Sequence, residues 1–277
     1  RALVLADPHL LRQVVMLSLE HGLLRLGSGV SVSHNGQGYK APSPALGSRH
    51  VSAHVFPPPG EIRGVLFDLH ATLVDQGDAD EWLDQALVEA PHPLSPSERS
   101  ALVHFLDRIW ENARVHDPDS LRDLSPAAHR SVFHRLLAEG PGIDPSLGDA
   151  LYDCVTKTWH AYLDSAPTMA ALRAAGIKVG VLSNVGVDVR DVLEREGLLP
   201  HADAVVLSCE VGVVKPEPQI FVAALAALDL PATDVIMVGD SPKDDVGAAM
   251  VGIRTVVLPR TRGPVHGLDV IRRMSGA

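Results

Sequence analysis

The sequence predicts an α/β fold: a doubly wound parallel sheet that carries an inserted all-helical segment. In residues 61–74 and 166–277, short apolar runs of β type alternate with helical patterns, as in parallel sheets. Residues 75–165 have helical periodicity and no β-type run. The 277 residues exceed the ~100–200 of a usual domain, so a core with an insertion is expected.

Residues 1–60 are predicted to be an N-terminal extension, and the Pro-Pro-Pro-Gly run at 57–60 indicates a stiff linker. Within the extension, residues 2–7 have the pattern of a strand and residues 10–21 that of a helix. We expect this segment to be non-catalytic and to pack on the core or on another subunit. The sequence therefore leaves open whether the protein forms a homo-oligomer.

The core strands are expected where apolar residues run without interruption, at 64–67, 178–182, 204–207, 235–238 and 255–258. Helical patterns accompany them at 169–175, 189–196 and 245–251. Each of these patterns ends at a glycine, at positions 176, 197 and 252, where a left-handed C-cap is favoured.

The inserted segment 75–165 repeats apolar residues at helical spacing, as in the groups Trp82, Leu83, Ala86, Leu87 and Leu102, Phe105, Leu106, Ile109. Its histidines at 104, 129 and 134 show no metal-ligand spacing, so we expect them to be surface or core side chains.

Carboxylates follow two of the predicted strands. Asp68 ends the first run, and Asp240 ends the run at 235–238, with Asp244 and Asp245 close behind. Parallel strands bring their carboxyl ends to one sheet edge, so these side chains should lie together. Like charges this close raise one another's pKa unless a cation neutralises them, and oxygen ligands suit Mg²⁺.

Four segments, taken together, resemble the haloacid dehalogenase-like (HAD) hydrolase superfamily over residues 61–260. They are the run from Asp68 through His70 to Thr72, the pair Ser183-Asn184, Lys215 before Pro216, and Gly239-Asp240-Ser241 with Asp244-Asp245. The resemblance implies a Rossmann-like core with a helical cap at 75–165. It also implies that Asp68 is a nucleophile that forms an aspartyl-phosphate.

The same resemblance implies a Mg²⁺ site formed by Asp68, the backbone carbonyl of His70, Asp240 and one of Asp244 or Asp245. The spacing does not choose between the last two, and the other one is free to cap the following helix.

Substrate contacts are expected from residues that can bind the phosphoryl oxygens. Ser183 offers hydrogen-bond donors and Lys215 offers positive charge. Asn184 is expected mainly to hold its loop, and Thr72 to orient the Asp68 loop through its hydroxyl.

His70 stands where phosphatases of the resembling family carry a second aspartate. Histidine is able to serve as both acid and base, so one interpretation gives it the proton transfers of the reaction. The alternative is that it only orders water or contacts substrate. A non-aspartate at this position is also found in dehalogenases of the superfamily.

The composition restricts the classes of binding partner and the cellular compartment that we expect. The net charge of −10 without a basic run argues against nucleic acid, and no apolar stretch reaches the ~18–20 residues of a membrane span. Cys154 and Cys209 lack metal or disulfide spacing, which favours a reducing cytoplasm.

The sequence thus predicts a cytoplasmic, Mg²⁺-dependent hydrolase of small phosphorylated metabolites. Two alternatives stay open: a carbon–halogen hydrolase that uses Asp68 without a metal, and a degenerate module of this fold without catalysis.

Overall fold

The computed structural model describes residues 60–277. The extension predicted at 1–60, with its strand and helix, therefore lies almost entirely outside the described residues.

The central sheet has five parallel strands in the order β5-β4-β1-β6-β7. Their bounds are β1 Gly64–Phe67, β4 Lys178–Ser183, β5 Ala204–Leu207, β6 Val235–Gly239 and β7 Arg254–Val257. All five predicted runs form strands, with ends that differ by at most one residue. Because β1 is the middle strand and is buried along its length, its carboxyl end opens at the centre of the sheet edge.

Helices cover both faces of this sheet. They are α6 Ser165–Ala174, α7 Arg190–Arg195, α8 Ser208–Val211, α9 Pro218–Leu228 and α10 Asp269–Met274. The three predicted glycine caps have left-handed φ values of 79°, 68° and 88° at positions 176, 197 and 252. The segment predicted to be helical at 245–251 is a 3-10 helix, Asp245–Val251.

The inserted segment contains five helices: α1 Ala79–Glu89, α2 Pro96–Asp107, α3 Ile109–His116, α4 Pro126–Leu137 and α5 Pro145–Cys154. A 3-10 turn, Leu121–Leu124, lies between α3 and α4. The helices share an apolar core of their own, with Leu83, Leu106 and Phe133 almost fully buried.

The prediction of an all-helical insertion needs one correction. Strands β2, Val74–Asp75, and β3, His160–Ala161, pair antiparallel at its base. Two residues per strand are too few to give a recognisable alternating pattern. Whether the segment acts as a separate domain stays a prediction.

Within residues 60–277, none of the helices combines the length and the apolar character needed to cross a lipid bilayer.

Candidate active site at the carboxyl edge of the sheet

Two carboxylates meet where neighbouring strands end. Asp68 follows β1 directly and Asp240 follows β6, and the two strands pair in register with Phe67 beside Val238. The backbone N–H of Asp68 donates to the carbonyl of Val238 at 2.8 Å, which fixes the start of the loop. The sheet register therefore brings these two predicted site residues together.

Lys215 connects this pair to a third carboxylate. Its Nζ lies 2.8 Å from Asp68 Oδ1 and 2.7 Å from Asp245 Oδ1, and the lysine is only 3% exposed. Burial alone would lower the pKa of Lys215, but the charges of Asp245 and Asp68 outweigh it and raise that pKa. The ammonium is therefore charged and held in one place.

Asp245 and Asp244 occupy different environments. Asp245 is fully buried, and its Oδ2 accepts the backbone N–H of Ser241 at 2.9 Å. Asp244 lines the cavity and its Oδ2 accepts the Ser241 hydroxyl at 2.8 Å. Carboxylate oxygens of Asp68, Asp240 and Asp245 lie within 4.8 Å of one another, so Asp245 is the one that joins the cluster.

The cluster carries more negative charge than Lys215 neutralises. Burial raises the pKa of Asp68 to about 7, and Asp245 and Asp240 add to this shift while Lys215 opposes it. Burial and the charge of Asp245 also raise the pKa of Asp240. Three carboxylates and one ammonium leave the cluster with a net negative charge, which a hard divalent cation would neutralise. The residues present therefore fit Mg²⁺.

His70 packs against two indole rings, which also contact each other with centroids 6.3 Å apart. Its ring centroid is 5.6 Å from that of Trp110 and 5.1 Å from that of Trp159. Its Nε2 is buried and has no hydrogen-bond partner among the described residues. Burial lowers the pKa of His70 to about 4, and the charges of Arg260 and Arg114 act in the same direction. The ring is therefore neutral at pH 7.

Three further predicted residues differ in what they do. Ser183 ends β4 and lines the cavity. Asn184 holds the backbone of Lys215, since its Oδ1 accepts that N–H at 2.7 Å and its Nδ2 donates to that carbonyl at 3.0 Å. The hydroxyl of Thr72 is buried and makes no hydrogen bond with the described residues, so the predicted hydroxyl contact to the Asp68 loop is absent from residues 60–277.

A cavity of about 320 Å³ lies above this floor, and its other wall belongs to the helical insertion. That wall contains Trp110, Arg114, Arg122, Asp123 and His129. Sequence reasoning missed these residues as site residues. His129 was expected to be a surface or core side chain, and it is buried with its Nδ1 3.1 Å from the Tyr152 hydroxyl.

The insertion is closed onto the core by direct contacts. The Ser208 hydroxyl donates to the carbonyl of Asp123 at 2.6 Å, and Lys243 Nζ donates to the carbonyl of Pro118 at 2.8 Å. A Cβ on Gly186 would lie 2.4 Å from the carbonyl oxygen of Arg122. Only glycine fits there, because the backbone of the insertion approaches the core so closely.

A buried carboxylate at the centre of the sheet edge, a buried lysine beside it and a helical cover are compatible with a hydrolase built on a parallel α/β sheet. A family model described as haloacid dehalogenase-like hydrolase matches residues 62–252. The chain belongs to this family.

Known relatives include proteins of more than one activity. The chain is 34% identical to haloacid dehalogenase-like hydrolase domain-containing protein 3 of Danio rerio, over 76% of this chain and 90% of the relative. It is 28% identical to a ribulose-1,5-bisphosphate 5-phosphatase of Halopiger xanaduensis, over 70% and 83% of the two chains. A solved 2-haloacid dehalogenase from Pseudomonas syringae has 26% identity and a TM-score of 0.51, with 78% of this chain and 100% of that one covered.

Proposed function

We propose that this hydrolase cleaves small phosphorylated metabolites in a Mg²⁺-dependent reaction that passes through an aspartyl-phosphate on Asp68. The observation that carries the proposal is the placement of Lys215 between Asp68 and Asp245, with Asp240 beside them, at the floor of the cavity. A phosphoryl group needs a nucleophile and fixed positive charge at one place.

Asp68, Asp240 and Asp245 would hold the metal, since they are the carboxylates that converge. When bound, Mg²⁺ supplies positive charge that offsets the carboxylates and the phosphate oxygens. Neutralisation of the cluster also favours the ionised form of Asp68, which is the form that attacks.

In the first step, an oxygen of Asp68 attacks phosphorus while the ester P–O bond breaks and the leaving oxygen takes the electron pair. Lys215 keeps the nucleophile in position and offers charge to the phosphoryl oxygens. A neutral His70 is a poor proton donor at pH 7. Leaving groups that need little protonation, such as aryl or acyl phosphates, should therefore react best.

In the second step, water attacks the phosphorus of the acyl phosphate and the Asp68 carboxylate leaves. The neutral ring of His70 is able to accept the proton of that water. The protonated ring then gives its proton to solvent, and the leaving oxygen takes a proton from solvent, so the two steps return Asp68 and His70 to their starting states and release inorganic phosphate.

The helical cover limits the substrate to small molecules. The cavity of about 320 Å³ is in the range of pockets for small ligands, and the cap closes it from above. We further propose a reducing, cytoplasmic setting, because Cys154 and Cys209 are both free thiols.

A carbon–halogen hydrolase is the second candidate. It is favoured by the similarity to the Pseudomonas syringae dehalogenase and by the absence of an aspartate at position 70. Displacement of halide by Asp68 would need no divalent cation, so it leaves the convergence of three carboxylates without a role.

The test is a screen of the purified full chain against phosphorylated metabolites with Mg²⁺ and with EDTA, with halide release from 2-haloacids measured in parallel. We expect phosphate release with Mg²⁺ only. Release of halide in EDTA without any phosphate release would establish the dehalogenase alternative. If a folded, metal-loaded protein releases neither phosphate nor halide, the alternative that remains is a non-catalytic module of this fold.

A further inference from the structure

Helix α3 presents one of its sides to the cavity. Ile109 and Ala113 are fully buried in the apolar core of the insertion, whereas Trp110 and Arg114 line the cavity. Residues four apart in a helix lie on the same face. Trp110 is fixed there by its ring contact with Phe133, with centroids 5.4 Å apart. Arg114 therefore lies on the cavity wall, one helical turn after Trp110, whose position is fixed by packing.

Four cationic side chains line the cavity: Arg114, Arg122, Lys215 and Lys243. Lys215 and Arg122 are each held by two carboxylates, at distances between 2.7 and 3.4 Å. Lys243 donates to a backbone carbonyl of the insertion at 2.8 Å. Of the four, Arg114 alone makes neither an ion pair nor a side-chain hydrogen bond with any residue in 60–277. Residues 60–277 therefore use none of its five N–H donors, which suit an anionic ligand.

Arg114 faces the part of the cavity that a leaving group would fill. A phosphoryl group next to Asp68 occupies the floor, so the rest of the substrate must extend toward the insertion. Arg114 and Asp68 line the same cavity of about 320 Å³, so a small substrate held at the floor extends toward the guanidinium.

We propose that Arg114 binds a second anionic group of the substrate, a carboxylate or a second phosphate, on the portion that is released from phosphorus. The preferred substrates would be phosphomonoesters with a second acidic group. The reaction named here rests on the proposed function, whereas binding of the second anion does not. An arginine suits either group because its planar fork matches two oxygens at once.

The binding test uses three phosphonates of nearly the same length: propylphosphonate, 3-phosphonopropanoate and 1,3-propanediphosphonate. Calorimetry in excess Mg²⁺ gives the Kd of each. We expect the wild type to bind the two compounds with a second anion about 10-fold or more tightly than propylphosphonate, as charged hydrogen bonds allow. The carboxylate and diphosphonate results distinguish the two forms of the second group.

Arg114→Gln should reduce this preference ratio to about one, and Arg114→Lys should keep part of it, since a lysine retains the charge without the fork. The matched control is Arg108→Gln. Arg108 lies just before the same helix, is also exposed, and pairs with Glu111 away from the cavity. The control should show the wild-type ratio.

Equal Kd values for the three phosphonates in the wild type would overturn the proposal. So would an Arg114→Gln variant that keeps the full preference. The screen for phosphate release, with aryl and acyl phosphates included, separates this inference from the proposed function. A binding preference in a protein that hydrolyses no phosphate of that screen would refute the phosphatase function and support the anion site, whereas hydrolysis without a binding preference would refute the anion site alone.

Discussion

Substitution of Gly186 by alanine should force the insertion away from the core. Gly186 lies in the loop after β4, and its φ is outside the left-handed region, so alanine causes no backbone strain. The new Cβ would lie 2.4 Å from the Arg122 carbonyl oxygen and 2.5 Å from the Cβ of His129. Ordinary contact begins near 3.4 Å, so the wall must retreat by about 1 Å.

A shift of this size moves a cavity wall that contains Arg122 and His129. A misplacement of about 1 Å costs about 10²-fold in rate when the affected groups position the substrate. The hydrogen bond from Ser208 to Asp123 would also be stretched, which removes about 1 kcal/mol of the stability of the closed form. We therefore expect kcat/KM to fall by about 10²-fold while the sheet remains folded.

The assay is kcat/KM for phosphate release from a substrate found in the screen, with Gly263→Ala as the control. A Cβ on Gly263 would meet only Thr261 Oγ1, at 3.5 Å. Acrylamide quenching provides a second readout, because Trp110 and Trp159 line the cavity and should become more accessible. If Gly186→Ala matches the control in both measurements, the contact does not hold the insertion in its working position.

Three further predictions concern the floor and the insertion. Asp68→Asn should lower phosphate release by about 10³-fold or more, judged from other catalytic nucleophiles, and circular dichroism should show a folded protein. EDTA should abolish turnover, Mg²⁺ should restore it and Ca²⁺ should inhibit it, because Ca²⁺ prefers more ligands and looser geometry. Burial and the charge of Arg122 lower the pKa of His129 to about 4. The unfolded chain, with a pKa of about 6.5, then binds protons first, so the free energy of unfolding should fall between pH 6.5 and 4. Denaturant titrations across that range measure this effect, and His129→Gln should weaken it.

Each of these has a contradicting outcome. Substantial turnover by purified Asp68→Asn would exclude the covalent mechanism. Full activity after exhaustive EDTA treatment would exclude the metal. A His129→Gln variant whose stability depends on pH as steeply as the wild type would show that His129 does not carry the effect.

The strands were predictable because each contains a short run of apolar residues, which is buried along its whole length in β1 and β6 and only half-buried in β7. The residues at the floor of the cavity could be predicted from these strands, because Asp68 and Asp240 directly follow neighbouring parallel strands. The cavity wall was not predictable in this way. Trp110 and Arg114 lie on α3, whose apolar pattern predicts only which side of the helix is buried. Which residues face them across the cavity depends on how the insertion packs on the core. The four-residue spacing of Trp110 and Arg114 was the signal in the sequence that places both on one face of the helix.

Spacing in the sequence did not decide which of Asp244 and Asp245 joins the carboxylate cluster. Asp244 ends the loop after β6 and Asp245 begins the 3-10 helix that follows, and the path of the backbone decides which one turns inward. A Cβ on Gly239 would lie 2.0 Å from Asp245 Oδ2, so the bare strand end makes the space that this carboxylate occupies. There it accepts the N–H of Ser241 and binds Lys215 from behind. Asp245 and Asp68 thus hold the ammonium of Lys215 from two sides, so its charge lies directly beside the carboxylate of Asp68.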